Sequence, residues 1–343
     1  MPDLLMDRAK FQSYLRHKLP EAEKLTVTGI KKFPRGSSRE TWFIECEGIT
    51  PSRRKLVVRR DFLSGSVCPL PLRTEYEIYR RLGPSPVPVA EALWYEDGLD
   101  DEREFFVREH IDGTWDVPGF QNPNPEYDDV RIAVSKEHLR KMALVHTCDW
   151  EALGFGEIMP VPPSPETAAL TLVDTIVAKL EEIKLESHVL VTEAAEWLRD
   201  HAPKTTPRIS LCKGTNGLGE EVFRGGEIVA MCDWELACLG DPTYDFAQLQ
   251  AFLPEIGSQW GLTQGLEYYE EISGIHIEPG TIDYYRVVNA LHGAMFTQNA
   301  ARLIADGDKL ARLCWGATQV NLQFRVILAK ACGLLPAKAA SPS

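Results

Sequence analysis

The sequence predicts an α+β protein with two lobes, a small lobe built on an antiparallel sheet and a larger, mainly helical lobe. The first 112 residues read as short, turn-bounded strands with one internal helix. Helical periodicity dominates from there to about residue 336. A chain of 343 residues is long enough for both lobes. We therefore divide it into a sheet lobe over residues 1–112, a helical lobe over 113–336 and a flexible tail over 337–343.

The sheet lobe begins with a predicted helix over residues 8–18, where Phe11, Tyr14 and Leu15 recur at helical spacing. Strands are predicted at 25–30, 40–45 and 55–60, a helix at 73–82, and a hairpin at 92–95 and 105–111. Residues 34–38 form a Gly/Ser turn between the first two strands. Such a turn can place backbone N–H groups over phosphates, and the alternative is a plain hairpin turn.

The helical lobe contains one stretch of a different character. Helices are predicted at 137–148, 171–185, 188–201, 284–306 and 309–332, with surface loops at 118–127 and 160–165. Between them, two short apolar runs at 209–212 and 228–232 bracket a glycine-rich segment, and each run ends in polar residues. This pattern predicts two buried strands that present side chains to one site.

Composition and charge exclude several classes of function. A net charge of −13 argues against nucleic acid or an anionic membrane as the main partner, because no excess of cations exists to neutralise phosphates. The sequence shows no basic and apolar leader, and no apolar run approaches the roughly 20 residues that span a bilayer. The 8 cysteines are scattered along the chain, which favours reduced thiols and a cytoplasmic location. Nothing in the sequence indicates an oligomeric state.

Three aspartates follow the second apolar run, at Asp233, Asp241 and Asp245. Crowded carboxylates repel one another unless a cation or a hydrogen-bonded scaffold stabilises them. The sequence therefore predicts either a metal site or a tightly hydrogen-bonded loop in this region.

Three segments resemble one known family. Residues 232–247 read C-D-W-E-L-A-C-L-G-D-P-T-Y-D-F-A and closely follow its pattern D-W-E-x-A-x-x-G-D-P-x-x-D-x-A. Residues 139–146 and the run Val-Val-Arg-Arg at 57–60 match two further family segments. On these motifs the chain resembles the aminoglycoside phosphotransferase superfamily of small-molecule kinases, and most closely the kinase-like domain associated with acyl-CoA dehydrogenases. The resemblance covers about residues 25 to 330 and implies a bilobal, protein-kinase-like fold.

The resemblance implies a site for ATP or another nucleotide with Mg²⁺. Gly36, Ser37 and Ser38 would form the loop over the phosphates. Arg59 would be the strand cation that contacts phosphate, with Glu75 as its partner on the following helix and Arg60 as a possible substitute.

The same resemblance assigns the remaining site residues. Residues from Glu109 to Ile111 would be the hinge whose backbone recognises the base, and Asp233 would hold Mg²⁺. Asp241 and Asp245 are expected to organise the loop by hydrogen bonding. His146 is expected to be a buried, hydrogen-bonded residue of the core.

The catalytic loop departs from the family pattern H-G-D-x-x-x-x-N. Gapless alignment places Lys213 at the histidine, Thr215 at the base aspartate and Glu220 at the metal-binding asparagine. A threonine hydroxyl is not a general base near neutral pH, and losing such a base costs roughly 10²–10⁴ in rate. Glu220 keeps an oxygen ligand for Mg²⁺. The loop therefore still carries charged residues but lacks the usual base.

Three functions follow from this altered loop: a pseudokinase that binds a ligand without turnover, a kinase-fold enzyme with repurposed chemistry at Lys213, Glu220 or Glu221, and a small-molecule phosphotransferase. The ligand would be a small molecule such as a CoA thioester or a hydroxylated metabolite. Its pocket is expected within residues 255–315. An aromatic stripe in this range either lines the pocket or, as the alternative, packs in the core. The candidate lining residues are Tyr284, Tyr285, His292, Met295 and Trp315.

Overall fold

The computed structural model describes residues 4–19, 23–34, 38–68, 70–98, 103–307, 313–314 and 316–335. It confirms the α+β prediction, with an antiparallel sheet of five strands followed by a predominantly helical lobe. Gly36, Ser37, Trp315 and the tail over 337–343 lie outside the described residues.

The sheet lobe is a five-stranded antiparallel sheet in the order β1-β2-β3-β5-β4. Its strands are β1 (Thr26–Lys32), β2 (Arg39–Glu47), β3 (Lys55–Asp61), β4 (Ala92–Glu96) and β5 (Phe105–Glu109), and its helices are α1 (Arg8–Lys18) and α2 (Leu72–Leu82). Helix α1 contributes Phe11 and Leu15 to an apolar cluster on one face of the sheet. Helix α2 packs on Phe106 of β5.

Helix α2 forms because its apolar residues fall on one side. Ile78, Tyr79 and Leu82 are buried at spacings that share one helical face. Glu75 is buried on the same helix, in the middle of the lobe. A buried carboxylate needs partners, and these partners belong to the site described below.

Seven helices carry most of the second lobe: α3 (Asp128–Thr147), α4 (Ala168–Ile183), α5 (Val189–Asp200), α6 (Thr243–Phe246), α7 (Leu262–Ser273), α8 (Pro279–Ala305) and α9 (Asn321–Ala331). Two predicted helices differ from the structure: α3 begins at Asp128 rather than at residue 137, and the last helix begins at Asn321, after a π-helical turn at Gly316–Val320. The sequence analysis also missed α7. None of the helices within the described ranges is long and apolar enough to cross a membrane.

The predicted pair of strands around residues 209–232 is two separate pairs in the structure. Strand β6 (Ser210–Cys212) pairs with β9 (Cys238–Gly240), whereas β7 (Glu221–Arg224) pairs with β8 (Glu227–Met231). The segments that connect these strands, 213–220 and 232–237, therefore meet. The backbone N–H of Cys232 donates to the carbonyl of Glu220 at 2.8 Å.

Candidate functional site

The carboxylate of Asp245, on the short helix α6, holds the loop over residues 213–220 in place. Its oxygens accept the backbone N–H groups of Lys213 at 2.8 Å and Gly214 at 2.7 Å, and the side-chain amide of Asn216 at 3.0 Å. His146 Nε2 lies 2.8 Å from the same carboxylate, and its Nδ1 lies 2.6 Å from the hydroxyl of Tyr269. This geometry confirms that Asp245 organises the loop and that His146 is a buried, hydrogen-bonded residue.

Two neighbours of this carboxylate strengthen that interpretation. Gly214 has a φ of +82°, and a Cβ there would lie 2.1 Å from the carbonyl oxygen of Leu236, so the position requires glycine. Cys212 lies beside His146 and Asp245 in an arrangement compatible with a metal ion. Both nitrogens of His146 already have partners, so the cluster is a hydrogen-bond network rather than a metal site.

Asp241 has the other predicted organising role. It accepts the backbone N–H of Thr243 at 2.8 Å and the hydroxyl of Tyr285 at 3.1 Å. Burial raises its pKa, and these hydrogen bonds oppose the rise. Asp241 therefore fixes the turn that precedes α6 by hydrogen bonding.

Thr215, which gapless alignment with the family pattern places at the catalytic base, is largely buried. Its hydroxyl donates to the backbone carbonyl of Asp233. The hydroxyl proton is thus directed at the polypeptide itself. Asp233 has a φ of +65°, a left-handed conformation that is uncommon for a residue other than glycine. The Thr215 hydrogen bond helps to hold this turn.

Lys213, which the same alignment places at the family histidine, has a completely buried side chain. Its ammonium donates to the carbonyl of Thr215 and lies 3.3 Å from Glu220 Oε2 and 3.6 Å from Glu221 Oε1. Burial lowers the pKa of Lys213, but the carboxylates of Glu221, Glu220 and Asp233 outweigh it and raise the pKa above its ordinary value. Lys213 is therefore a charged, internal cation.

The sequence analysis did not single out His138, and it mentioned Glu221 only as an alternative reactive group. Both side chains are buried, and His138 Nδ1 lies 3.9 Å from Glu221 Oε1. Within the described ranges, neither Glu221 oxygen and neither His138 ring nitrogen has a hydrogen-bond partner. Burial raises the pKa of Glu221 to about 7, with Lys213 opposing, and burial with the nearby Lys213 lowers the pKa of His138 to about 3. His138 also stacks on Phe252 with ring centroids 3.8 Å apart.

Two further carboxyl groups lie after β8 with raised pKa values. Burial raises the pKa of Asp233 to about 6, with Glu220 adding to the rise and Arg59 opposing it. Burial, followed by the charge of Asp233, raises the pKa of Glu235 to about 8. The Ser38 hydroxyl donates to Glu235 Oε2 at 2.6 Å and so links the two lobes. Carboxyl groups with raised pKa values in one cleft are a signature of a functional site.

The proposed metal ligands fit Mg²⁺ only in part. No hydrogen bond to the Asp233 carboxylate comes from the described residues, so this group is available to a cation. Glu220 Oε2 already accepts the backbone N–H of Gly217 at 2.9 Å and contacts the Lys213 ammonium. Because a fixed cation already occupies one side of Glu220, the two residues do not form an ordinary two-carboxylate Mg²⁺ site.

In the sheet lobe, Glu75 binds two arginines at once. Arg59 donates to Glu75 Oε1 at 2.9 Å, and Arg39 donates to Glu75 Oε2 at 2.6 Å. Burial raises the pKa of Glu75, but Arg59 and Arg39 together hold it below its ordinary value. The pairing of Arg59 with Glu75 is thus present, whereas Arg60 pairs with Glu40 at 2.7 Å. The sequence analysis missed Arg39, although it directly follows the Gly/Ser turn.

Backbone hydrogen bonds hold the hinge residues against the sheet lobe. The N–H of Glu109 donates to Glu91 at 2.9 Å, and the N–H of His110 donates to Lys55 at 3.2 Å. Ile111 follows them at the end of the sheet lobe. A role in recognising a nucleotide base remains a prediction for Glu109 and Ile111.

A cavity of about 360 Å³ lies next to Glu235, between α4, α8 and the segment that precedes β9. Its walls are mainly apolar, from Leu172, Ile176, Leu236 and Met295 among others. Of the predicted pocket residues, His292 and Met295 line this cavity. The sequence analysis missed the wall contributed by α4, because an amphipathic helix gives the same signal whether it faces a core or a cavity.

Tyr284 and Tyr285, also predicted for this pocket, belong to the helical core instead. The hydroxyl of Tyr284 donates to the carbonyl of Leu198, and that of Tyr285 donates to Asp241. The aromatic stripe is therefore core packing at these two positions.

Comparison with known proteins identifies similar sequences. The family model described as "Phosphotransferase enzyme family" matches residues 29–274. The chain is 24% identical over 302 residues to acyl-CoA dehydrogenase family member 11 of Mus musculus, covering 82% of this chain and 37% of that protein. It is 26% identical over 236 residues to acyl-CoA dehydrogenase family member 10 of Mus musculus, covering 66% of this chain and 20% of that protein. The chain thus spans well under half of these relatives.

Solved structures share the fold over almost the whole chain. A putative aminoglycoside phosphotransferase from Ralstonia eutropha superposes with a TM-score of 0.66 at 19% identity, covering 96% of this chain and 98% of that one. A mutant of the aminoglycoside phosphotransferase APH(4)-Ia, in a ternary complex with AMP-PNP and hygromycin B, superposes with a TM-score of 0.60 at 15% identity. That comparison covers 94% of this chain and 97% of that one.

Replacing Asp245 should destabilise the fold strongly. In Asp245→Ala, the buried N–H groups of Lys213 and Gly214 and the ring of His146 lose their acceptor, which should cost roughly 3–5 kcal/mol. Urea denaturation followed by tryptophan fluorescence measures this loss. The control Asp283→Ala removes an exposed aspartate of α8 that pairs only with Arg286 on its own helix. Equal stability of the two variants would contradict the role assigned to Asp245.

Glu221→Gln should change how stability depends on pH. Glu221 has an ordinary pKa of 4.5 and a folded value of about 7, so the folded state retains its proton longer than the unfolded state. Its contribution to stability is complete below about pH 4.5 and is lost as pH rises to about 7. The variant should match the parent at about pH 4 and exceed it by roughly 1–3 kcal/mol at about pH 8.

Denaturation curves at several pH values test this prediction. The groups that face Glu221 are Lys213, His138, Glu220 and Asp233, and all are unchanged in the variant. Glu227→Gln is the matched control, because Glu227 lies on the next strand of the same hairpin with an exposed side chain. Parallel pH profiles for the parent and Glu221→Gln would show that Glu221 is not the group responsible.

Proposed function

This chain belongs to the phosphotransferase enzyme family, as its motifs predict, and we propose that it binds a nucleotide and a small-molecule ligand with little or no phosphoryl transfer. In this proposal it is a pseudokinase. The observation that carries the proposal is the Thr215 hydroxyl, which stands at the base position and donates to the carbonyl of Asp233. A threonine hydroxyl is also too weakly basic to take the proton of an attacking hydroxyl near neutral pH.

The features retained around the cleft support nucleotide binding. Arg59 is anchored by Glu75 at the end of β3, which is the arrangement that related kinases use to contact phosphates. Asp233 has a carboxylate without a hydrogen-bond donor from the described residues, and burial raises its pKa to about 6. An aminoglycoside phosphotransferase of the same fold was solved with AMP-PNP and another with ADP. ATP or another nucleotide, with or without Mg²⁺, is therefore the proposed ligand of the cleft.

The cavity beside Glu235 supports a second ligand. Its apolar walls suit an apolar segment of a small molecule, and Glu235, Lys179 and His292 supply the polar contacts. An acyl portion of a CoA thioester or a hydroxylated metabolite matches this division. The similarity to acyl-CoA dehydrogenase family members 10 and 11 favours the same class of ligand.

A weakly active small-molecule phosphotransferase is the second candidate, because Asp233 and the Arg59–Glu75 pair are kept. Phosphoryl transfer depends mostly on positioning and electrostatics, so slow transfer without a base is chemically possible. The third candidate, repurposed chemistry at Lys213, Glu220 or Glu221, has less support. Lys213 and Glu221 are completely buried, and a ligand cannot reach either of them.

Two measurements on the same protein test the proposal. ATP and ADP should raise the melting temperature, because a ligand that binds only the folded state stabilises it. ATP consumption should be the same in the parent and in Asp233→Ala. The control Asp283→Asn changes an exposed aspartate distant from the loop in sequence and should behave like the parent in both assays.

The outcomes separate the candidates. ATP turnover that Asp233→Ala abolishes and Thr215→Asp increases would overturn the pseudokinase proposal in favour of a phosphotransferase. Absence of any nucleotide-induced stabilisation would overturn nucleotide binding. Screening CoA thioesters in the same thermal assay tests the ligand proposed for the cavity, and Leu172→Trp, which fills the cavity wall, should remove that response alone.

A further inference from the structure

Contacts hold both the backbone and the side chain of Lys213 in place. Its backbone follows β6 and donates to Asp245 at 2.8 Å, so the main chain cannot shift without breaking the Asp245 network. Its side chain is completely buried and runs to three oxygens, the carbonyl of Thr215, Glu220 Oε2 and Glu221 Oε1. The Thr215 carbonyl and Glu220 Oε2 accept hydrogen bonds from the ammonium, and Glu221 Oε1 at 3.6 Å adds a nearby negative charge. The positive charge is therefore a permanent part of the loop.

This position conflicts with a divalent ion bound by Glu220. Mg²⁺ binds oxygen ligands at about 2.0–2.1 Å and needs a nearly regular octahedron. An ion on Glu220 Oε2 would lie close to the Lys213 ammonium, which is 3.3 Å from the same oxygen. The two cations would repel each other in a partly buried site, where charges are poorly screened. Glu220 Oε2 also accepts the N–H of Gly217 at 2.9 Å, so that oxygen has no free position.

The Lys213 ammonium already supplies the positive charge that such an ion would provide. A metal ion in a nucleotide site neutralises the protein carboxylates so that the anionic phosphates can approach. Lys213 contacts Glu220 and Glu221 directly, and its charge also acts on Asp233. Arg59 supplies a second fixed cation on the opposite lobe.

We propose that Lys213 is a built-in cation of the nucleotide site that replaces a divalent metal ion between Glu220 and Asp233, so that this chain binds nucleotides without Mg²⁺. The proposal rests on the proposed nucleotide binding and adds its cofactor requirement. It also explains why a lysine and a glutamate replace the histidine and asparagine of the family pattern together. The Lys213 ammonium and the Glu220 carboxylate lie 3.3 Å apart, so each substitution supplies a partner for the charge of the other.

Isothermal titration of ADP into the full chain, in EDTA and in excess Mg²⁺, tests the proposal directly. The dissociation constants in the two buffers should agree within about threefold, which is less than a tenfold change in affinity. In Lys213→Gln, Mg²⁺ should tighten ADP binding by about tenfold or more, because the carboxylates then lack their own cation. A tenfold effect of Mg²⁺ on the unmodified chain would overturn the proposal.

Lys141→Gln is the matched control. Lys141 is a mostly buried lysine of α3 that pairs with two glutamates, Glu137 at 3.2 Å and Glu227 at 3.3 Å, and it lies outside the loop. This variant should keep the Mg²⁺ independence of the parent. Mn²⁺ alone is a second probe: it should raise the melting temperature of Lys213→Gln and leave the parent and Lys141→Gln unchanged. A Mn²⁺-induced rise in the parent would count against a built-in cation.

Glu220→Gln keeps the test decisive if Lys213→Gln does not fold. Without the Glu220 carboxylate, the positive charge of Lys213 is less neutralised, so the affinity for ADP in EDTA should rise or stay equal. If Glu220 were a metal ligand, the variant would instead weaken binding in Mg²⁺ and leave binding in EDTA unchanged. Failure of the proposed function is distinguishable, because ADP would then bind in neither buffer, whereas binding that requires Mg²⁺ refutes only the built-in cation.

Discussion

The Asp245 carboxylate is the interaction on which the site depends. A single buried group accepts two consecutive backbone N–H groups, a side-chain amide and the ring of His146. Such a carboxylate fixes the path of the loop independently of the side chains that the loop carries. The loop can therefore carry Lys213, Thr215 and Glu220 where the family pattern has other residues. Its backbone still follows the course that the Gly214 turn requires.

Charge pairing sets a second constraint around the cleft. Glu75 lies between Arg39 and Arg59, and Lys213 lies between Glu220 and Glu221. In both places one buried ion is shared by two partners, so removing the shared ion leaves two like charges uncompensated in a region of low dielectric. Burial raises the pKa values of Asp233 and Glu235, so nearby cations neutralise these two carboxylates only in part. Both groups lie at the surface of the cleft, where a ligand can complete the neutralisation.

Much of the fold was predictable because its signals are local. Alternating strands, the helix α2 and the motif around Asp233 are each encoded within a few residues, and the structure has them. The pairing of β6 with β9 was not predictable, because β6 and β8 are both short apolar runs and only the tertiary structure decides their partners. The proximity of His138 to Glu221 escaped detection for the same reason, since they are 83 positions apart and no local pattern marks a buried histidine as the neighbour of a carboxylate.

The same reasoning explains why the family likeness predicts the scaffold better than the chemistry. The Asp245 network and the glycine turn depend on backbone groups that every residue carries, so they tolerate new side chains at 213, 215 and 220. Proton transfer and metal binding depend on particular side chains, and these are the positions that differ. In the proposed function, the absence of a base at Thr215 disfavours phosphoryl transfer, and the fixed cation at Lys213 lessens the need for a metal ion at the phosphates. Both proposed changes favour a site that holds a nucleotide over one that consumes it.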